Sequence, residues 1–232
     1  MIDRLARGGY KVGICFHVGS QIEDPDTYER ALASADWVRN RLTFELAGLD
    51  VGGGFPSVYP GMEPPPLETY FEVIHNSFES LPISYSAELW CEPGRALCAE
   101  YASVLVRVEK RRGDQLYIND GAYGALFDAA HIGWRFPVEL VRPGGSDARP
   151  MEFSFYGPTC DDLDHMAGPF LLPADVAAGD YVEIGMLGAY GCAMRTGFNG
   201  FGADLKTIVE DEPMATLYGA EERPMAPNVV TL

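Results

Sequence analysis

Four short stretches of this sequence carry side chains able to do chemistry. In Phe16-His17-Val18-Gly19-Ser20, an imidazole at the end of an apolar run can stack on a planar ligand, with Ser20 placed to donate to a phosphate. The other option for His17 is a satisfied core histidine. Gly52-Gly53-Gly54 can turn backbone N–H groups toward an anion because no Cβ obstructs them. A lone glycine triplet is more often a flexible turn. Glu92 and Arg95, in Glu92-Pro93-Gly94-Arg95, join a carboxylate to a guanidinium, or form a surface ion pair of little consequence. In Gly157-Pro158-Thr159-Cys160-Asp161, Cys160 can be a buried apolar thiol, with Asp161, Asp162 and Asp164 in a solvated turn. Singly, each signal is weak.

Their positions follow a pattern. Residues 2–7 read as the end of a helix stopped at Gly8-Gly9. Val12 to Val18 is a short apolar run of buried-strand type. Asp24-Pro25 starts a helix, and Tyr28, Leu32, Ala35, Val38 and Leu42 then recur at helical spacing. Phe44 to Val51 reads as a second strand running into the glycine triplet. The next helix carries Leu67, Tyr70, Phe71, Ile74 and Phe78 on one face, and Tyr85 to Cys91 is a third strand running into Glu92. The intervals His17–Gly52 and Gly52–Glu92 are 35 and 40 residues, a βα-unit rhythm. Each chemical motif therefore follows a strand's carboxyl end, where α/β barrels and open α/β sheets place their sites.

After Arg95 the texture changes. Tyr101–Lys110, Gln115–Asn119, Phe136–Val141, Met151–Tyr156 and Tyr181–Ile184 read as strands separated by proline and glycine clusters. The fold expected is α/β plus all-β, with one domain over residues 1–96 and a β domain over 97–232. The stretch after Pro213 has little pattern and reads as a peripheral tail. A formal charge of −17, from 17 basic and 34 acidic residues, disfavours nucleic acid and anionic membrane and mildly favours cationic small molecules. No apolar run approaches the ~20 residues of a membrane span, and no secretory leader is visible. Five scattered cysteines without paired spacing imply a reduced, cytoplasmic setting and no metal site.

Taken in order, the strings FHVGSQ, DVGGGFP, EPGR, INDGAYG, YGPTCD, MLGAY and FNGF resemble the fold-type III pyridoxal-phosphate (PLP) decarboxylases. That group includes ornithine, lysine and diaminopimelate decarboxylases, and the resemblance runs from about Val12 to Phe201. It implies the carboxyl-terminal part of a (β/α)8 barrel followed by a β-sandwich or β-barrel domain. It also implies that His17 stacks on the pyridine ring and that Glu92 faces the ring nitrogen. Ser20, Gly52, Gly53, Gly54, Arg95 and Tyr190 would hold the phosphate. Cys160 would return a proton to Cα, and Asp161, Asp128 and Tyr123 would bind a basic amino acid. Cys160 and Asp161 would serve the other subunit of a homodimer with shared sites. Diaminopimelate decarboxylases usually read Cys-Glu where this chain reads Cys160-Asp161, which implies ornithine, with putrescine as product, ahead of lysine.

One family element has no counterpart. The lysine to which the family attaches its cofactor lies on an early barrel strand, and Lys11, Lys110 and Lys206 are not in that motif. The expectation is an isolated chain that is poorly soluble and inactive, a fragment of a working decarboxylase. A gene remnant, or a non-catalytic binding protein of the antizyme-inhibitor kind, is the alternative.

Overall fold

The structure, a computed structural model, describes residues 2–202, 205–210 and 214. The expected tail after Pro213 lies, Met214 apart, outside the described residues. Two compact units emerge. One comprises the chain to Ser57 together with Met62–Leu97, and the other Val58–Gly61 together with the chain from Cys98 onward.

The first unit is a three-stranded parallel sheet, β1 (Gly13–Cys15), β2 (Gly48–Asp50) and β3 (Glu88–Trp90), in the order β1-β2-β3. The strand-to-strand connections carry α2 (Asp26–Arg39) and α3 (Leu67–Glu79), and α1 (Ile2–Arg7) precedes β1. Register pairs Cys15 with Asp50 and Asp50 with Trp90, which aligns the three strand ends. The strands are shorter than their apolar runs, three residues each, and the loops after β1 and β2 carry Gly19 and Gly52 at φ 121° and 67°.

Helix burial follows the apolar spacing with three exceptions. Tyr28, Leu32 and Ala35 of α2 are buried, but Val38 is exposed and Leu42 lies past the helix end. In α3, Leu67, Tyr70, Ile74 and Phe78 are buried while Phe71, one position round from the buried stripe, is exposed. Tyr28, Phe55 and Tyr70 form an aromatic cluster with centroids 5.1–6.3 Å apart. The Tyr70 hydroxyl donates to the Ile22 carbonyl at 2.7 Å, and burial pushes its pKa up to about 12. That bond ties α3 to the loop following β1.

The second unit is a six-stranded sheet. Its strands are β4 (Val104–Arg112), β5 (Gln115–Ile118), β6 (Val138–Val141), β7 (Pro150–Tyr156), β8 (His165–Pro173) and β9 (Tyr181–Ile184). The order is β6-β9-β4-β5-β7-β8, antiparallel except for the β5–β7 pair. Val106, Val108, Leu116, Ile118, Phe153, Phe155, Phe170 and Val182 supply its core. The Phe155 and Phe170 rings stack at 4.2 Å.

Two elements differ from the sequence expectation. Strand β8 was hidden by Gly168 and Pro169, which an edge strand tolerates because its outer side carries no ladder. A five-residue helix, α5 (Phe127–His131), interrupts what read as an all-β region and is too short to show a helical period. Among the described residues no helix is long and apolar enough to cross a membrane.

Candidate active site

In the first unit, the three strand ends carry the expected motifs. His17 lies two residues beyond β1, and the Gly19 amide donates to its Nδ1 at 3.0 Å, which fixes the ring and leaves Nε2 for another partner. The glycine loop after β2 runs directly beneath it. A Cβ on Gly53 would lie 3.2 Å from His17 Nε2 and 3.0 Å from the Glu92 carbonyl, and one on Gly52 would run into the Phe16 carbonyl oxygen. The triplet is therefore required by close backbone approach, and Gly52 also by its left-handed φ. The Glu92 amide donates to the Gly52 carbonyl at 2.8 Å, and Tyr28 Oη to the Gly53 carbonyl at 3.0 Å, so the loop is held from both sides.

The Glu92 side chain is exposed, and Arg95, one residue into α4 (Gly94–Cys98), is buried. Ser57 Oγ donates to the Arg95 carbonyl at 3.1 Å, and Gln21 is bonded to Ser57 through both ends of its amide, one of them to the Ser57 amide at 3.1 Å. Ser20 is exposed beside Gly19.

Two residues beside Glu92 escaped the sequence reading. Ligand-type atoms of Cys15, Asp50 and Glu92 lie within 4.8 Å of one another. Desolvation raises the Cys15 thiol, and the Asp50 and Glu92 carboxylates push it the same way, so it stays neutral. The signal was present in period-two alternation and strand register, which put the ends of three parallel strands on one face. Asp50 Oδ1 accepts from the Gly52 amide at 2.8 Å and so helps shape the glycine loop.

In the second unit, Tyr123 Oη donates to Asp161 Oδ2 in a short hydrogen bond, and the Leu163 amide donates to Oδ1 at 3.0 Å. Cys160, adjacent and exposed, has its amide donating to Asn199 Oδ1 at 3.3 Å. Asn199 sits in the left-handed region at φ 56°, a conformation asparagine tolerates. Tyr123 also packs against Phe198 in a tilted ring pair with centroids 4.6 Å apart, and accepts the Thr196 amide on its carbonyl at 2.9 Å.

Asp128 lies in the first turn of α5 and lines a hollow with Tyr190, Phe127, Phe136 and Met194. Tyr190 is half exposed at φ 66°, and the Gly188 amide before it donates to the Ala99 carbonyl at 2.9 Å. The reading of Asp161, Asp162 and Asp164 as a solvated turn fails at Asp164, which is 2% exposed. Asp120 is likewise buried, accepting from the Ala125 amide at 2.8 Å and from Arg195 at 2.7 Å.

The Tyr123–Asp161 bond has a pH signature. It holds the Asp161 carboxyl below the usual carboxylate range, the Leu163 amide helping, and holds the Tyr123 phenol above the ordinary tyrosine range. A depressed carboxyl contributes stability above its unfolded pKa and loses it as pH falls through the folded value. A raised phenol contributes below its unfolded pKa and loses it as pH rises through the folded value. The stability difference between wild type and Tyr123→Phe in urea titrations is therefore expected to be flat from about pH 5 to about pH 9. It should shrink below ~4 and above ~10. A difference that persists undiminished to pH 2 would rule the link out.

Comparison with known proteins shows the family of the chain. The family model "Pyridoxal-dependent decarboxylase, pyridoxal binding domain" matches residues 7–99, and "Pyridoxal-dependent decarboxylase, C-terminal sheet domain" matches residues 71–188. A lysine/ornithine decarboxylase of Selenomonas ruminantium is 32% identical over 213 residues, covering 89% of this chain and 52% of that protein. Antizyme inhibitor 2 of Xenopus laevis is 32% identical over 228 residues, covering 82% and 45%. The crystal structure of lysine/ornithine decarboxylase complexed with putrescine from Vibrio vulnificus superposes with a TM-score of 0.72 at 30% identity, covering 87% of this chain and 55% of that one. The chain spans about half the length of the curated relatives it matches. With half of its length matched by the sheet-domain model alone, and both domain types in their expected order, the chain belongs to the pyridoxal-dependent decarboxylase family.

Proposed function

We propose that this chain forms part of a PLP-dependent decarboxylase that converts a basic amino acid, ornithine ahead of lysine, to its diamine and CO₂. The observation that carries the reading is the exposed Cys160 thiol next to Asp161, a carboxylate already held by Tyr123 and Leu163. It is supported by the fit of the strand-end residues to PLP. The glycine loop leaves space where a Cβ would crowd His17, the His17 ring is pinned by Gly19, and a carboxylate stands on the neighbouring strand end. Ser20, Gly52, Gly53, Gly54, Arg95 and Tyr190 would hold the phosphate, His17 would stack on the ring, and Glu92 would meet its nitrogen.

When bound, PLP supplies the electron sink for the pair released as CO₂ departs. Glu92 keeps a proton on the ring nitrogen, the form that withdraws electrons best. Cys160 donates its Sγ proton to Cα. Asp161, Asp128 and Tyr123 receive the distal ammonium, where two carboxylates favour a dibasic over a monoamino substrate. Cys160 and Asp161 act in the site of a second copy, so a homodimer shares two sites. A (β/α)8 barrel completed by chain beyond these strands, and a reducing cytoplasmic setting in keeping with five free thiols, belong to the same reading.

The test is diamine release with added PLP, run on protein purified from its own cells and on the recombinant 232-residue chain. The cell-derived protein is expected to yield putrescine from ornithine and less cadaverine from lysine. The isolated chain, whose Lys11, Lys110 and Lys206 lie outside the family's cofactor-lysine motif, is expected to yield neither. No diamine from any basic amino acid with the PLP-loaded cell-derived protein overturns the reading. Release from the isolated chain overturns its lysine clause.

A second reading, a non-catalytic binding protein, is favoured by the similarity to an antizyme inhibitor. Against it stands the joint presence of His17, Glu92, Arg95, Cys160, Asp161 and Tyr190, since a pure binder has no use for the full set.

A further inference from the structure

Asp164 is the most enclosed carboxylate near the Cys160–Asp161 loop, and neither the cofactor nor the substrate roles above use it. Its Oδ1 accepts from the Ala122 amide at 2.7 Å, and its Oδ2 from the Thr159 amide at 3.1 Å and the Thr159 hydroxyl at 2.7 Å. Its own backbone closes the turn, with Gly157 N donating to Asp164 O at 2.8 Å and Asp164 N to Asp161 O at 3.1 Å. A Cβ on either Gly121 or Gly157 would collide with Oδ1. Neither glycine has a positive φ, so each is there for space and not for backbone freedom. One carboxylate thus fills the slot between the loop that bears Tyr123 and the loop that bears Cys160 and Asp161.

We propose that Asp164 is a positioning residue that fixes the Tyr123 loop against the Cys160–Asp161 loop, so that the phenol meets the carboxylate and Cys160 is presented in one place. The inference rests on the proposed roles of Cys160 and Asp161. Three charge-assisted bonds to one carboxylate make the two loops move as a body, and an apolar or amide replacement leaves buried amides short of an acceptor. The same logic accounts for glycine at both 121 and 157 and for a hydroxyl at 159, where Thr159 Oγ1 adds a donor to the backbone amide.

The test uses Asp164→Asn, which preserves shape but offers a single acceptor oxygen. With tyrosine labelled at ¹³Cζ, the Tyr123 resonance is identified by its loss in Tyr123→Phe, and its titration is followed by NMR. Alkylation of Cys160 by iodoacetamide is timed by peptide mass spectrometry. In Asp164→Asn, the Tyr123 midpoint is expected to fall toward the ordinary tyrosine value of about 10 while the other tyrosines keep theirs. The Cys160 alkylation rate should change about threefold or more, with the far-ultraviolet circular dichroism unaltered. General destabilisation of a still-folded sheet would move neither local readout.

A folded Asp164→Asn protein with wild-type Tyr123 titration and Cys160 reactivity overturns the proposal. If Asp164→Asn does not fold, Thr159→Val decides, since it removes one donor and keeps the side-chain shape. A smaller shift in the same direction supports the clamp, and no shift overturns it. Neither readout needs turnover. A Tyr123 shift together with no diamine from the PLP-loaded wild type upholds the clamp while rejecting the decarboxylase reading.

Discussion

Replacing Gly52 with alanine is expected to cost the first unit about 4 kcal/mol or more, enough to unfold a marginal domain. Two effects add. At φ 67° any L-residue other than glycine is strained, by about 1–2 kcal/mol. The larger effect is steric, because the new Cβ would meet the Phe16 carbonyl oxygen, with the Phe16 carbonyl carbon at 3.1 Å and His17 Cα at 3.3 Å. Those are backbone atoms of a loop that cannot swing aside without moving His17. Gly9, at φ 83° with nothing within 4 Å of its ideal Cβ, is the control for strain alone. Urea unfolding of Gly52→Ala and Gly9→Ala separates the two contributions. Equal losses in the two variants would mean that the close approach of the loops after β1 and β2 is not what glycine provides.

On the proposed function, Glu92→Gln introduced into the protein made in its own cells is expected to lower the rate of diamine formation by about 10²–10³-fold while PLP still binds. Glutamine matches the shape and can still reach a ring nitrogen, but it carries no charge to hold a proton there. The neighbouring groups do not compensate. Cys15 is kept neutral by desolvation and by its acidic neighbours, and Asp50 spends one oxygen on the Gly52 amide at 2.8 Å. The measurement is kcat for ornithine with the PLP absorbance recorded beside it. A variant within threefold of wild type would remove Glu92 from the chemistry. Loss of absorbance together with rate would assign it to binding instead.

Much of this architecture is legible in the residues because local signals agree with the fold. Leu67, Tyr70, Ile74 and Phe78 recur at helical spacing and are buried together, and the alternating strands of the sheet unit fall close to their runs. What stayed hidden has physical causes. Strand β8 carries Gly168 and Pro169, the usual marks of a turn, and survives because it lies at an edge. Phe71 is apolar but falls on the outer face of α3.

The chemical residues divide in the same way. His17, Gly52 to Gly54, Glu92 and Cys160 stand out in their strings by residue type, whereas Asp50 and Asp120 lie in such strings with no role legible there, and Asp164 looks like any other acidic residue in sequence. Their meaning comes from enclosure and from amides contributed by distant loops, such as Ala122 N on Asp164 across 42 residues. No local pattern encodes that.

The proline that concealed β8 has a consequence for the crowded conditions of expression. A bare sheet edge invites a newly made chain to extend it, the first step toward fibrous aggregates. Along β8 such a newcomer would find amide donors missing at Pro169 and Pro173 and the line broken where the ladder shifts between Phe153 and Phe155. The features that make this strand hard to recognise also make it a poor template for a second one.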